Sequence, residues 1–177
     1  MNVRLADKTF EPFIGAEKIQ QAVSSIADTI SRDFKDKTPV FLPILDGAFV
    51  FAADLAKKLT ITPKFSFIKV KSYHNTASSG LVNQVMGLDI DISGQDVIII
   101  EDIIDTGLTV SYLLKELRKH KPASIRIATL LNKPGALVEK ISIDYKGLEI
   151  PNRFIVGYGM DYNGLGRNLD SIYVLKG

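Results

Sequence analysis

A chain of 177 residues has the length of one domain able to bury about 70% of its unfolded surface, and 46% hydrophobic with 24% charged residues is the composition of a globular protein rather than a disordered one. The net charge of +2 is too small to mark a nucleic-acid surface, the absence of cysteine excludes disulfides and thiolate metal sites, and two well-separated histidines do not make a zinc site. No apolar run approaches the roughly 18 residues of a membrane span, and the charged start Met-Asn-Val-Arg-Leu-Ala-Asp-Lys lacks the apolar stretch of a signal peptide; a cytoplasmic location is expected.

In chain order, Ile19, Val23, Ile26, Ile30 and Phe34 recur at steps of three and four and predict an amphipathic helix over residues 16–34. Asp36, Lys37, Thr38 and Pro39 break it. Residues 40–45 follow as a short apolar strand, which Asp46 and Gly47 end, and residues 48–59 read as a second helix with Phe51, Leu55 and Leu59 on one side. Residues 64–71 alternate as a strand does. Residues 72–80 are polar and small, with Tyr73 their only core-type side chain, and are read as a mobile loop. Val97, Ile98, Ile99 and Ile100 form a continuous β-branched run of the kind buried on both faces of a parallel sheet. The stripe Val110, Leu113, Leu114 and Leu117 is helical and stops at Lys121-Pro122, with basic residues where positive charge favours a helix's carboxyl end. Residues 125–131 read as another buried strand, and 154–158 and 172–175 as late ones. Alternating strands and helices imply an α/β fold with a mainly parallel, doubly wound sheet, in one domain over 1–177.

Ligands of such sheets bind beyond the carboxyl ends of the strands, which directs attention to Glu101 through Thr109. The turn Thr106-Gly107-Leu108-Thr109 offers backbone N–H groups and two hydroxyls at a helix N-terminus, a setting for a phosphate monoester. Three carboxylates beside it would repel a bare phosphate. A ligand carrying both a phosphate and neutral hydroxyls removes the conflict: Glu101 and Asp102 accept hydrogen bonds from vicinal ribose hydroxyls, the turn holds the phosphate, and Asp105 stays free for proton transfer. The competing reading, acids that merely cap a helix, suits a single Asp-x-x-Gly better than this whole string.

The string resembles the phosphoribosyl pyrophosphate motif of the type I phosphoribosyltransferases, and Glu-Asp-Ile-Ile-Asp-Thr-Gly is similar to their hypoxanthine–guanine branch in particular. The resemblance runs from about Ile19 to Leu175. It implies the family's fold, with a small hood formed by the terminal segments, and transfer of a phosphoribosyl group to a 6-oxopurine with Mg²⁺ as cofactor. It assigns the phosphoribosyl group to Glu101, Asp102, Asp105, Thr106, Gly107, Leu108 and Thr109, with Asp105 as catalytic base. Leu45, Asp46 and Gly47 match the pyrophosphate loop, which often holds a non-proline cis peptide bond; many relatives carry Lys or Arg where this chain has Asp46. Arg167 matches the arginine that reaches the pyrophosphate. Lys133 is assigned to the exocyclic oxygen of the purine, Phe154 to stacking on its ring, and Ile155 and Asp161 to its edge through backbone atoms. Glu101, Asp102 and Asp161 are the expected metal contacts, and Ser72 and Tyr73 the lid. Implied partners are the small-molecule substrates and further copies of the chain as a homodimer or homotetramer, with neither nucleic acid nor membrane. A xanthine-preferring transferase and a non-catalytic regulator on the same fold are the alternatives; Asp105 and the small net charge count against the second. A phosphoacceptor signalling module also sets acids, a hydroxyl and a lysine at strand ends, but it has no use for the phosphate turn.

Overall fold

The computed structural model describes residues 1–74 and 81–177, with side chains outside 71–86. In chain order the elements are β1 (Val3–Leu5), β2 (Lys8–Ile14), α1 (Ala16–Asp33), β3 (Val40–Leu45), α2 (Phe49–Lys58), β4 (Lys64–Phe65), β5 (Ile68–His74), β6 (Leu81–Met86), β7 (Asp96–Ile104), α3 (Leu108–Arg118), β8 (Ser124–Asn132), β9 (Tyr145–Glu149), β10 (Ile155–Val156) and β11 (Ile172–Leu175). Among the described residues two sheets form. The larger has the order β6-β5-β3-β7-β8-β9, with β4 also on β3; β3, β4, β5, β7, β8 and β9 pair in parallel and β6 is antiparallel to β5.

Alternation along the buried strands decides which helix each face receives. Ile98 and Ile100 point with Phe41 into one cluster, against Val23, Ile26 and Ile30 of α1 and Phe51 and Leu55 of α2. Val97 and Ile99 point the other way with Val40, Leu42 and Ile44, against Leu113 and Leu117 of α3. A strand covered on both faces has no polar side to show, which is why 97–100 carry an unbroken apolar run.

The expected single strand over 64–71 is instead two, β4 and β5, which pair with β3 through Val40 and Phe41 and then Ile44 and Leu45. Pro43 lies opposite the interruption, so its missing N–H falls where the β3 ladder is already broken. Ser72 and Tyr73, expected in a loop, continue β5 and pair with Asn83 and Val82 of β6. That hairpin was not foreseen, and residues 75–80 lie outside the described residues.

The second sheet, β1-β2-β11-β10, is antiparallel and built from both ends of the chain. This is the expected hood. Its strands β1 and β2 were not read from the sequence, nor was β9.

Candidate active site

β7 outlasts its neighbour. Its pairing with β3 is last made at Pro43–Ile100, while pairing with β8 continues to Ile104–Asn132. The strand therefore ends at residue 104, not 100, and Glu101 and Asp102 are strand residues with β8 on one side and the β3–α2 turn on the other. That turn lies close. A Cβ on Gly47 would collide with the Asp102 carboxylate, so a larger residue there would have to displace that side chain. The Leu45–Asp46 peptide is cis, as the family resemblance led us to expect.

Beyond β7, Gly107 takes a left-handed conformation (φ 81°) at the start of α3, and the Leu108 N–H donates to Thr106 Oγ1 at 3.4 Å. Between strand end and helix start lies a cavity of about 90 Å³, lined by Glu101, Ile103, Ile104, Asp105, Thr106, Gly107, Thr109 and Val110. It adjoins a cavity of about 350 Å³ bounded by Gly47, Asp102, Ile103, Asp105, Lys133, Phe154, Ile155, Met160, Asp161 and Arg167. Ile103 and Asp105 line both. A larger groove of about 690 Å³ opens elsewhere, near Arg32 and Thr60, and holds none of these residues.

The carboxyl end of β8 supplies Lys133, whose side chain is 7% exposed and whose ammonium donates to Asp105 Oδ2 at 2.7 Å. A buried cation needs such a partner. From the hood, Phe154 presents a ring that is edge-on to Tyr162 at 5.9 Å and tilted against Phe10 at 6.2 Å. Arg167 donates to Gly159 O at 2.6 Å and pairs with Asp161 Oδ1 at 2.6 Å, while Asp161 Oδ2 accepts from the Gly164 N–H at 2.7 Å. The hood hairpin thus holds its own arginine at the cavity wall.

Charge in the two cavities is uneven. Burial pushes the Asp102 carboxyl up to about 6, against hydrogen bonds from its own and the Ile103 N–H and the positive charge of Arg167; Asp161 adds to the rise. Glu101 is only partly covered as a residue, yet burial of its carboxyl group, with the neighbouring charge of Asp102, pushes it well above the usual carboxylate range. Two acids that resist ionisation side by side suit a ligand that donates hydrogen bonds or brings positive charge.

Of the residues singled out in the sequence, Gly47, Asp102, Asp105, Lys133, Phe154, Ile155, Asp161 and Arg167 meet at the large cavity, and Glu101, Asp105, Thr106, Gly107 and Thr109 at the small one. Leu108 opens α3 and is half exposed, lining neither. Leu45 and Asp46 precede Gly47 without lining either cavity. Ile103, Ile104, Val110 and Met160, which also line the cavities, were missed; as apolar residues among polar ones they carry no chemical signal in the sequence.

Cavities at the carboxyl ends of parallel strands, one walled by a helix start and the other by a lysine–aspartate pair and an aromatic ring, define an α/β protein with a composite ligand cleft beyond the carboxyl ends of its interior strands. Residues 15–163 match the family model described as phosphoribosyl transferase domain. The hypoxanthine-guanine phosphoribosyltransferase of Bacillus subtilis is 43% identical over 164 residues, covering 92% of this chain and 91% of that one. Among solved structures, a hypoxanthine phosphoribosyltransferase from Staphylococcus aureus superposes with a TM-score of 0.87 at 36% identity, covering 94% of this chain and 91% of that one. The Trypanosoma cruzi hypoxanthine phosphoribosyl transferase, studied for the role of its C-terminal region in oligomeric state and activity, gives 0.86 at 31% identity over 98% and 95% of the two chains. The chain belongs to the phosphoribosyltransferase family.

Proposed function

We propose that the chain is a purine-salvage glycosyltransferase, acting as a single domain, that moves the 5-phosphoribosyl group of phosphoribosyl pyrophosphate onto hypoxanthine or guanine, giving IMP or GMP and pyrophosphate. The observation that carries this reading is the Lys133–Asp105 pair, 2.7 Å apart at the cavity wall. An ammonium and a carboxylate side by side offer one donor and one acceptor. A 6-oxopurine protonated on its imidazole ring offers the complement along one edge: a carbonyl oxygen at position 6 and an N–H at position 7. Adenine has an amino group where the lysine requires an acceptor, and sites built around such a bond discriminate by roughly 10⁴–10⁵. Phe154, 47% exposed at the cavity, is free to stack on the ring.

The same reading places the ribose diol at Glu101 and Asp102 and the 5-phosphate in the small cavity against Thr106, Gly107 and Thr109. Asp105 takes the proton from nitrogen 7, and nitrogen 9 forms a bond to the anomeric carbon. The bond from that carbon to pyrophosphate breaks, with its electron pair leaving on oxygen. Arg167 and the Leu45–Asp46–Gly47 turn face the growing negative charge. Among the described residues no three His, Cys, Asp or Glu side chains gather for a metal. Mg²⁺ does not need such a cage, since it takes one or two carboxylates together with water and substrate phosphates; Asp102 and Asp161 share a cavity and fit that habit, with Glu101 adjoining. When bound, the ion supplies charge neutralisation on the phosphates.

Self-association as a dimer or tetramer and a cytoplasmic location complete the proposal; among the described residues no helix is long and apolar enough to cross a membrane. The test is nucleotide formation from phosphoribosyl pyrophosphate with hypoxanthine, guanine, xanthine and adenine in parallel. Turnover of hypoxanthine or guanine with adenine rejected is expected; no turnover of any 6-oxopurine, or adenine used equally well, defeats the reading.

A further inference from the structure

The turn after β3 carries a negative charge where its proposed ligand is polyanionic. Asp46 lies beside Gly47, which lines the large cavity together with Arg167, and a bare carboxylate there would repel pyrophosphate. It is not bare. Lys69 on β5 stands opposite Leu45 in the parallel register, so it lies alongside the turn. Its ammonium donates to both Asp46 oxygens, at 2.8 and 2.7 Å. The hydrogen bond from Lys69, with its charge and that of Arg167, holds the Asp46 carboxyl below its ordinary value despite some burial, so the turn sits within reach of two cations. Neither partner is locked away: the side chains are 40% and 53% exposed. An exposed lysine–carboxylate pair gains little from its own attraction and re-partners readily when a ligand of higher charge arrives.

We infer that Lys69 is a pyrophosphate-binding residue of this chain, parked on Asp46 in the free protein and transferred to the pyrophosphate moiety when phosphoribosyl pyrophosphate binds, with Asp46 drawing it back as pyrophosphate leaves. This rests on the reaction proposed above and adds to it a cation from β5 and a role for the acid in the turn. Asp46 is a positioning residue here: it competes with the ligand for the ammonium and touches no reacting atom. The turn then holds its charge neutral without substrate and releases a positive charge with it.

The experiment is a double-mutant cycle on Lys69 and Asp46, read as KM for phosphoribosyl pyrophosphate, KM for hypoxanthine and kcat, with calorimetric binding of inorganic pyrophosphate in magnesium buffer as a readout independent of turnover. Lys69→Met raises KM for phosphoribosyl pyrophosphate and weakens pyrophosphate binding by about tenfold, leaves KM for hypoxanthine unchanged, and Lys69→Arg keeps most of the affinity. Asp46→Asn, which frees the ammonium, lowers KM for phosphoribosyl pyrophosphate, and that gain disappears in the Lys69→Met background. An unchanged KM for phosphoribosyl pyrophosphate in Lys69→Met overturns the inference. So does a gain from Asp46→Asn that persists undiminished without Lys69, because simple repulsion by Asp46 would then explain it. A wild-type protein that forms no nucleotide defeats the underlying reaction as well, whereas normal wild-type turnover with an indifferent Lys69→Met defeats this inference alone.

Discussion

Asp105 and Lys133 neutralise each other in the free protein, and their separate duties differ in what they cost when removed. Replacing Asp105 by Asn keeps the size and a hydrogen-bonding oxygen but cannot accept the proton from nitrogen 7. General-base help is worth about 10²–10⁴ in rate, so Asp105→Asn should lose turnover on that scale. Wild-type turnover in a folded Asp105→Asn protein removes the residue from the role. Lys133→Ala should instead narrow the preference for hypoxanthine over adenine, and an unchanged ratio of kcat/KM values counts against the contact with the purine oxygen.

Asp102 titrates on the other side of the cleft, and its pH dependence has a definite sign. Burial raises its folded value to about 6 from 3.8. The folded protein therefore holds a proton that the unfolded chain has already lost over that interval. The associated stability is complete below about 4 and disappears as pH rises through about 6, a difference on the order of 3 kcal/mol. Glu101, also raised, pulls in the same direction. In metal-free, substrate-free protein, Asp102→Asn should melt at a higher temperature than wild type at pH 8, with the gap closing near pH 4. Equal gaps at both pH values would show that the carboxyl is not desolvated in the fold. The same substitution should impair catalysis, since an amide is a weaker acceptor than a carboxylate for ribose hydroxyls and for Mg²⁺.

At the level of elements, the link from β7 through Gly107 to α3 sets both cavities, and it tolerates little change. Gly107 has φ of 81°, and a Cβ there would meet the Ile141 side chain at 2.7 Å. Left-handed backbone and a blocked Cβ together make Gly107→Ala destabilising by about 1–3 kcal/mol. Thermal unfolding reads the loss, and a stability equal to wild type would mean that the turn relaxes without strain. The central elements were legible because each satisfies one strong rule: the 3.6-residue stripe of α1 and the doubly buried runs of β3, β7 and β8. Elements that obey weaker rules were not. β9 reads Tyr-Lys-Gly-Leu-Glu, a sheet edge with one buried residue at its start. β1 and β2 become strands by pairing with each other and with β11, partners that local periodicity does not reveal. Ser72 and Tyr73 look like loop because their neighbours are polar, yet β5, which pairs with β3 at Ile68 and Lys69, runs on through both of them paired to β6. The cleft was more legible than the hood. Its acids, glycine and lysine sit at strand ends in an order tied to chemistry, whereas Lys69 is one basic residue among several on an alternating strand, and only its pairing with Asp46 sets it apart.

For the whole molecule, catalysis requires that the hood and the main sheet keep one relation, because the proposed active site draws Lys133 and Asp105 from the sheet and Phe154 and Arg167 from the hood side. The join runs through Tyr158, which is buried, has φ of 49°, and lies between the two halves of the hood hairpin. Its backbone N–H donates to Leu169 O at 2.8 Å, and its hydroxyl donates to Asp54 Oδ2 on α2 at 2.7 Å. Gln20 of α1 donates to the same carboxylate oxygen at 2.7 Å. One phenol thus ties the hood to the two helices, α1 and α2, that cover one face of the sheet. Tyr158→Phe keeps the ring and its packing but removes the tie, at a cost of about 1–3 kcal/mol for a hydrogen bond to a charged group. The structural consequence should be local: amide exchange should speed up in β10 and β11 while β3 and β7 keep their protection. The kinetic consequence follows from misplacement, since a shift near 1 Å in a positioning group can cost about 10²-fold. At temperatures where the variant is fully folded, kcat/KM for hypoxanthine should fall, and binding of inorganic pyrophosphate, which draws on Arg167 from the hood, should weaken with it. Uniform loss of protection across both sheets would make Tyr158 an ordinary core residue, and unaltered exchange with unaltered kinetics would mean that the hood is held by its apolar contacts alone.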